Sequence, residues 1–241
     1  MPSRLVRSGR RLWVPLALAA ATLAAMTLTR IGGQADPMQA TLTGYDPLSE
    51  AEQARAEAIA LADARVQAYL AGSTRTAVLV VERHQESKDV YQAGHWPRRA
   101  DTLVYDYQQD RLVQAVVSLA SGLVDEVDVD AGVQPPLTPA EGRSALDIAL
   151  ADPAAGAAIR AAWQRATGGA PFDADALEPS PWVFRSDSLE PGTLPGTESC
   201  GRHRCAQLMV ATRDGVLLDG LPIVDLSAER VASLGATDGG S

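Results

Sequence analysis

The sequence predicts an α+β protein with two tandem units, each made of a helix packed on an antiparallel sheet. Two observations support this class. A segment near residue 50 recurs 89 residues later, and strand-like runs follow each copy. The order along the chain is therefore helix, strands, helix, strands. A length of 241 residues is sufficient for two such units.

The repeated segment comprises residues 47–63 and 136–152, which are identical at ten of seventeen positions. Each copy begins Pro-Leu-Ser/Thr-x-Ala-Glu. Ser49 with Glu52, and Thr138 with Glu141, have the spacing of a capping box, in which the hydroxyl and the Glu satisfy free N–H groups of the first helical turn. Both copies are therefore predicted to begin a helix.

The two predicted helices differ in continuity. The first is expected to run from Leu48 or Ser49 to about Leu70 without a break. The second is expected to begin at Thr138, to break near Asp152-Pro153 because proline disfavours a helical residue before it, and to resume as far as about Ala166. Gly168-Gly169 then ends it.

Strands are predicted where β-branched and apolar residues are separated by turn-like residues. The run 123–129 begins to alternate acidic and apolar residues toward its end, which is typical of an exposed edge strand. The predicted strands after the first helix are Thr76–Arg83, 101–108, 112–119 and 123–129; those after the second are 182–185, Cys205–Thr212, 216–218 and 222–226. The predicted domains are 44–131 and 132–230, followed by a tail over 231–241.

The first 35 residues are predicted to direct export. They contain five Arg and no acidic residue, and residues 12–29 form an uncharged run. This pattern is typical of a signal peptide or of an N-terminal membrane anchor. Both stay open, because Gly33-Gln34-Ala35 offers small residues for cleavage whereas the length of the run favours an anchor. The basic start predicts that the rest of the chain is periplasmic or otherwise extracytoplasmic, secreted or anchored by one helix.

The remaining 206 residues contain 16 basic and 30 acidic side chains. Such a surface does not suit nonspecific nucleic-acid binding, which requires a basic footprint. The sequence also has no Gly-x-Ser-x-Gly elbow and no Gly-rich phosphate loop. The sequence therefore gives no motif-based indication of a hydrolase or of a nucleotide-binding enzyme.

Several stretches resemble the two small domains that precede the catalytic domain of copper amine oxidases. They are 46–49 (DPLS), 112–119 (LVQAVVSL) with 122–124 (GLV), 132–141 (GVQPPLTPAE) with Asp152-Pro153, and Pro181-Trp182. The resemblance implies two cystatin-like domains, each a helix on an antiparallel sheet. The resemblance covers roughly residues 44–226. It depends on the order in which these motifs occur along the chain, because no single motif is highly specific.

The resemblance does not include the enzyme of that family. Copper- and quinone-dependent amine oxidation resides in a large C-terminal domain with three His ligands and a Tyr in an Asn-Tyr-Asp/Glu motif. This chain has no Asn and no His-x-His, so no catalytic residue is carried over. The resemblance implies a noncatalytic binding or assembly module with a protein partner in the cell envelope. An oxidase fragment whose catalytic part is lost or separately encoded is a further alternative.

Cys200, His203 and Cys205 form the sharpest local motif. Because export favours oxidation and no other Cys exists, Cys200 and Cys205 are predicted to form a disulfide. The alternatives are a copper or zinc site that uses all three residues, and a redox-active dithiol. No cofactor is otherwise expected.

A second candidate site is the stretch 95–99, which combines polar, aromatic and basic residues between two predicted strands. His95, Trp96, Arg98 and Arg99 could contact a ligand or a partner. The alternative is a surface loop with Trp96 packed against the sheet.

Overall fold

The computed structural model describes residues 44–94, 96–187, 189–190, 192–220 and 222–235. The predicted α+β class is confirmed, because these residues form two four-stranded antiparallel sheets with helices packed on them. The predicted N-terminal signal or anchor helix, including residues 12–29, lies outside the described residues. Within the described ranges, no helix combines the length and the apolar character needed to cross a bilayer.

Sheet 1 has the strand order β1-β2-β3-β4, so β1 and β4 are its edges. Helices α1 and α2 precede it, and a short helix α3 lies between β1 and β2. The bounds are α1 Glu50–Ala62, α2 Ala64–Leu70, β1 Thr76–Arg83, α3 Lys88–Gln92, β2 Arg99–Asp106, β3 Arg111–Ser118 and β4 Leu123–Ala131.

Sheet 2 has the order β5-β6-β7-β8, so β5 and β8 are its edges. Helices α4 and α5 precede it, and a short 3₁₀ helix, Ala174–Ala176, leads into β5. The bounds are α4 Pro139–Ala151, α5 Pro153–Thr167, β5 Leu177–Phe184, β6 Cys205–Thr212, β7 Ile223–Asp225 and β8 Arg230–Ser233.

Both predicted capping boxes are present. The hydroxyl of Ser49 accepts from the N–H of Glu52, and that of Thr138 accepts from the N–H of Glu141, while each Glu accepts from the N–H of its cap residue. The break at Asp152 is confirmed as well, because Asp152 ends α4 and caps α5, which ends at left-handed Gly168.

The prediction of an unbroken first helix is wrong. The chain leaves the helix at Asp63, whose carboxylate accepts from the N–H of Arg65 and begins α2. Asp63 matches Asp152 in the repeated segment, and both have extended backbone. An aspartate cap therefore produces the break in both copies, and only the second copy adds a proline.

Several strand predictions need correction. Residues 216–218 are not a strand and contribute only an isolated bridge between Leu217 and Ala211. Strand β8 is absent from the predicted strands and lies largely in the predicted tail. Strand β5 begins five residues earlier than predicted, and β2 begins at Arg99, a residue predicted to lie in a loop.

Each sheet packs one face against its helices. We call α1, α2 and α3 with sheet 1 the first half, and α4 and α5 with sheet 2 the second half. In the first half, Ala56, Ala60 and Val66 are fully buried beneath sheet 1 residues such as Val104, Val113 and Val117. In the second half, Ala145, Leu146 and Ile159 pack against Leu208, Val210 and Val224. Small helix side chains let the helices approach the sheets closely, which accounts for an alanine-rich chain with only 5% aromatic residues.

The two halves are joined by polar side chains. The hydroxyl of Tyr107, just after β2, donates to Oε1 of Glu141 in α4 at 2.7 Å. Arg75 donates to the carbonyl oxygens of Leu226 and Ser227, each at 2.7 Å. Backbone acceptors are fixed in position, so these contacts define one arrangement of the halves.

Candidate functional site

The face of sheet 2 that points away from α4 and α5 carries exposed apolar side chains. In β6 the side chains of Leu208 and Val210 enter the core, so those of Gln207, Met209 and Ala211 point to the opposite face. Trp182 in β5 pairs with Gln207 and shares its face. Leu217 bridges to Ala211 and points the same way, because Leu218 enters the core.

We call this surface the Trp182 face and define it as Trp182, Gln207, Met209, Ala211 and Leu217. Trp182 is 63% exposed and Leu217 is 53% exposed. Met209 and Ala211 lie between them and are half-buried. A tryptophan and a leucine on a paired strand scaffold form a rigid apolar surface, which is typical of protein–protein contact sites.

Two prolines fix the orientation of Trp182. Pro179 and Pro181 alternate with exposed residues in β5 and are half-buried. The ring of Pro181 packs so tightly on Gly142 of α4 that a Cβ at Gly142 would lie 2.8 Å from its Cδ. Because side chains alternate across a strand, seating Pro181 on α4 directs Trp182 to the outer face.

The predicted disulfide between Cys200 and Cys205 is present. Both residues are buried and pack with Ile223, and the half-buried side chains of Phe184, Leu194 and Ala232 complete this cluster. Phe184 and Cys205 are paired across β5 and β6, on the same side of the sheet as Trp182. The disulfide therefore stabilises one end of the outer face.

The geometry does not bring Cys200, His203 and Cys205 together as a metal site. The two sulfur atoms are bonded to each other. The imidazole of His203 points to carboxylates, with Nδ1 2.8 Å from Asp225 Oδ2 and Nε2 3.6 Å from Asp110 Oδ2. No metal-binding group of three or more such side chains is found in the described part of the chain.

The candidates Arg98 and Arg99 form internal contacts. Arg98 donates to both carboxylate oxygens of Glu52, at 2.8 and 2.7 Å, and to the carbonyl oxygens of Asp46 and Pro47. The hydrogen bond from Arg98 lowers the pKa of Glu52 to about 2. Arg99 pairs with the buried carboxylate of Glu86. Both arginines therefore stabilise the first half.

Trp96 is partly exposed and lies in an aromatic cluster. Its ring contacts Tyr45 edge-on at 4.7 Å between centroids, and Tyr45 also contacts Tyr91 at 5.0 Å. Its indole N–H donates to the carbonyl oxygen of Tyr91 at 3.4 Å. His95 lies outside the described residues. A ligand or partner at this loop stays a prediction.

The junction of the halves contains three titratable side chains whose pKa values are shifted, Glu141, Tyr105 and Tyr107. Burial raises the pKa of Glu141, but hydrogen bonds and charge from Arg204 outweigh it, so the pKa is lowered overall. Burial raises the pKa values of Tyr105 and Tyr107. Glu141 accepts hydrogen bonds from Tyr107 and Arg204 inside the junction, so these three side chains stabilise the fold, whereas the buried hydroxyl of Tyr105 has no hydrogen-bond partner among the described residues.

No family model matches the chain, and no curated protein matches it. Among solved structures it is similar to a copper-containing benzylamine oxidase from Hansenula polymorpha, with 17% identity and a TM-score of 0.49. The match covers 80% of this chain and 30% of the oxidase chain, so this chain spans less than a third of that protein. The resemblance inferred from the motifs is thus shown only as a distant structural likeness to part of one such protein.

Sequence reasoning does not identify the Trp182 face. It depends on the register between β5 and β6 and on a bridge from residue 217, and both are long-range features. A local signal is nevertheless present. The stretch 179–182 reads Pro-Ser-Pro-Trp, and prolines at alternate positions are confined to edge strands.

Proposed function

We propose that the protein is an exported, noncatalytic binding and assembly module that binds a protein partner in the cell envelope through the Trp182 face. The observation that carries this proposal is the 63% exposure of Trp182 on a rigid sheet. A contiguous exposed apolar patch is typical of an interaction site, and tryptophan is strongly enriched among residues that dominate binding energy.

Two features support export. The N-terminal sequence has a basic start followed by an uncharged run over residues 12–29. The disulfide between Cys200 and Cys205 is typical of an oxidising compartment. We propose a periplasmic or otherwise extracytoplasmic location, either secreted or anchored by that run.

The residues of the Trp182 face also favour binding over catalysis. They are apolar apart from the amide of Gln207, so this surface supplies neither a nucleophile nor a general base. Amine oxidation by the copper and quinone chemistry of the resembled family is not part of the proposal.

The test is a binding comparison with envelope extract and the tagged full chain. The double variant Trp182→Ser, Leu217→Ser should recover about tenfold less partner than the wild type, or less still, because hot-spot residues contribute most of the binding energy. Tyr69→Ser is the matched control, since Tyr69 is an exposed aromatic residue on α2. A partner recovered equally with all three proteins would overturn the proposal.

A further inference from the structure

The four edge strands of the two sheets differ in how they are protected against pairing. Strand β5 contains Pro179 and Pro181, which have no N–H to offer, and β8 has only four residues. Strand β4 carries four acidic residues. Strand β1 has eight residues, no proline and a single acid, Glu82. It therefore has the least protection by charge or proline of the four against an added strand, and the bulge that interrupts its pairing with β2 lies between Val78 and Val80.

A groove of about 320 Å³ lies beside β1. One wall is formed by consecutive residues of the chain from Arg75 to Leu79. The facing wall is α4, which contributes Ala140, Ser144 and Ile148, spaced four residues apart on one side of the helix. A strand edge therefore faces a helix surface across this groove.

The register shows which backbone groups point into the groove. The N–H of Tyr107 donates to the carbonyl oxygen of Arg75 at 3.0 Å, so residues 75 and 107 form a hydrogen-bonded pair. In an antiparallel ladder such pairs alternate with non-hydrogen-bonded pairs. The N–H and C=O groups of Thr76 and Val78 therefore point away from β2. Within the described residues, no turn, loop or cap hydrogen bond uses these backbone groups.

The side chain of Val78 supports this assignment independently. It packs in the core formed with α1 and α2, whereas Ala77 and Leu79 pack on the opposite face of the sheet. A single groove that contacts all three residues must reach Val78 through its backbone at the strand edge. Thr76 and Val78 are about 6.7 Å apart along the strand, which is the repeat of alternate residues in any extended chain.

The charges around the groove limit the ligand further. Arg75 is already occupied by two carbonyl oxygens and by Glu229 at 3.2 Å. Glu141 also lines the groove, but its carboxylate is paired with Arg204, and Leu79, Ile148 and Ser144 supply uncharged wall surface. Glu82 continues β1, and Asp147 precedes Ile148 on α4; both are exposed. An inserted segment should thus be uncharged at its centre and basic at its flanks.

We propose that the groove between β1 and α4 binds an extended segment of a partner protein, which adds as a strand to the edge at Thr76 and Val78. The segment has uncharged β-forming residues flanked by Lys or Arg. Main-chain hydrogen bonds provide the affinity, and the α4 wall selects small or branched side chains. This site lies apart from the Trp182 face and does not depend on it.

The test uses the full chain in mild detergent and a fluorescein-labelled peptide, Lys-Lys-Thr-Val-Thr-Val-Thr-Lys-Lys. Anisotropy should show saturable binding, and amide hydrogen exchange at Thr76 and Val78 should slow in the complex. Val78→Pro should weaken binding at least about tenfold, because it removes an edge N–H and places a ring in the groove. Its N–H is not used by the β1–β2 ladder, so the sheet is retained.

Control variants distinguish binding at this groove from binding at the Trp182 face and from a loss of folding. Thr76→Val keeps the backbone and should bind normally, as should Trp182→Ser. Should Val78→Pro fail to fold, Ser144→Trp fills the groove from the exposed side of α4 and should abolish binding. The proposal is overturned by absent peptide binding, by unchanged affinity in both groove variants, or by a dimer of the chain that Val78→Pro dissociates.

Discussion

Arg204, the residue before β6, forms a buried ion pair with Glu141 in the first turn of α4. Arg204 is fully buried, and its Nη2 lies 2.9 Å from Oε2 of Glu141. It also donates to the carbonyl oxygens of Pro135 and Pro136. Its guanidinium lies 5.1 Å from the ring centroid of Tyr105 in sheet 1. The side chain of Arg204 thus contacts the segment before α4, α4 itself and sheet 1.

Replacement of Arg204 should be severe. Arg204→Met is expected to lower the free energy of unfolding by about 3–5 kcal/mol, because Glu141 then remains buried without its cation. Urea unfolding measures the change. The control is Asp219→Asn, which removes the exposed ion pair with Arg165 and should change stability by less than about 1 kcal/mol. Equal effects of the two substitutions would contradict the assigned role of Arg204.

Gly142 should be intolerant of alanine. In an exposed helix, replacing glycine by alanine raises stability by about 1 kcal/mol. Here the new Cβ would lie 2.8 Å from Cγ and Cδ of Pro181, which is a rigid ring. Gly142→Ala should therefore lower the free energy of unfolding by about 1–3 kcal/mol. Thermal unfolding tests this, and Pro181→Ala in the same chain should restore most of the loss.

Acid should remove the contribution of Glu52. Arg98 holds the pKa of Glu52 at about 2, below its ordinary value of 4.5. The stabilisation is thus complete above pH 4.5 and is lost as the pH falls towards 2. Glu52→Gln should be less stable than wild type at about pH 7, and the difference should shrink across that interval in urea titrations. An Arg98→Met background should strongly reduce this pH dependence, with a remainder from the hydrogen bonds of Ser49; an undiminished dependence there would exclude Arg98 as the main cause.

The disulfide should contribute modestly to stability. Cys200 and Cys205 enclose a short loop, so replacing both by alanine should cost about 2 kcal/mol. Intact-mass analysis of the native chain should show two hydrogens fewer than the reduced chain and no retained metal. One equivalent of copper or zinc, lost in Cys200→Ser, would instead support the alternative metal site.

Local features of the fold could be predicted from the sequence. The capping boxes at Ser49 and Thr138 depend on residues three apart, and both are present. The break at Asp63 is not predicted, because proline alone accounts for the break expected at Asp152. The repeated segment nevertheless contains the correct signal, since an aspartate occupies both positions.

Features that depend on distant pairing could not be predicted. From the sequence alone, Arg98 and Arg99 are loop residues with no evident partner. Only the fold brings Glu52 to Arg98 and Glu86 to Arg99. The Trp182 face likewise requires the β5–β6 register and the bridge of Leu217 to Ala211. The disulfide was predictable because the chain has only two cysteines.

The most direct test of the central claim is photo-crosslinking from the Trp182 face in native membranes. The full chain would carry p-benzoylphenylalanine in place of Trp182 or, as a control, in place of Tyr69. We predict one discrete crosslinked protein from position 182 that is absent from position 69. No crosslink from position 182, or the same products from both positions, would contradict the claim.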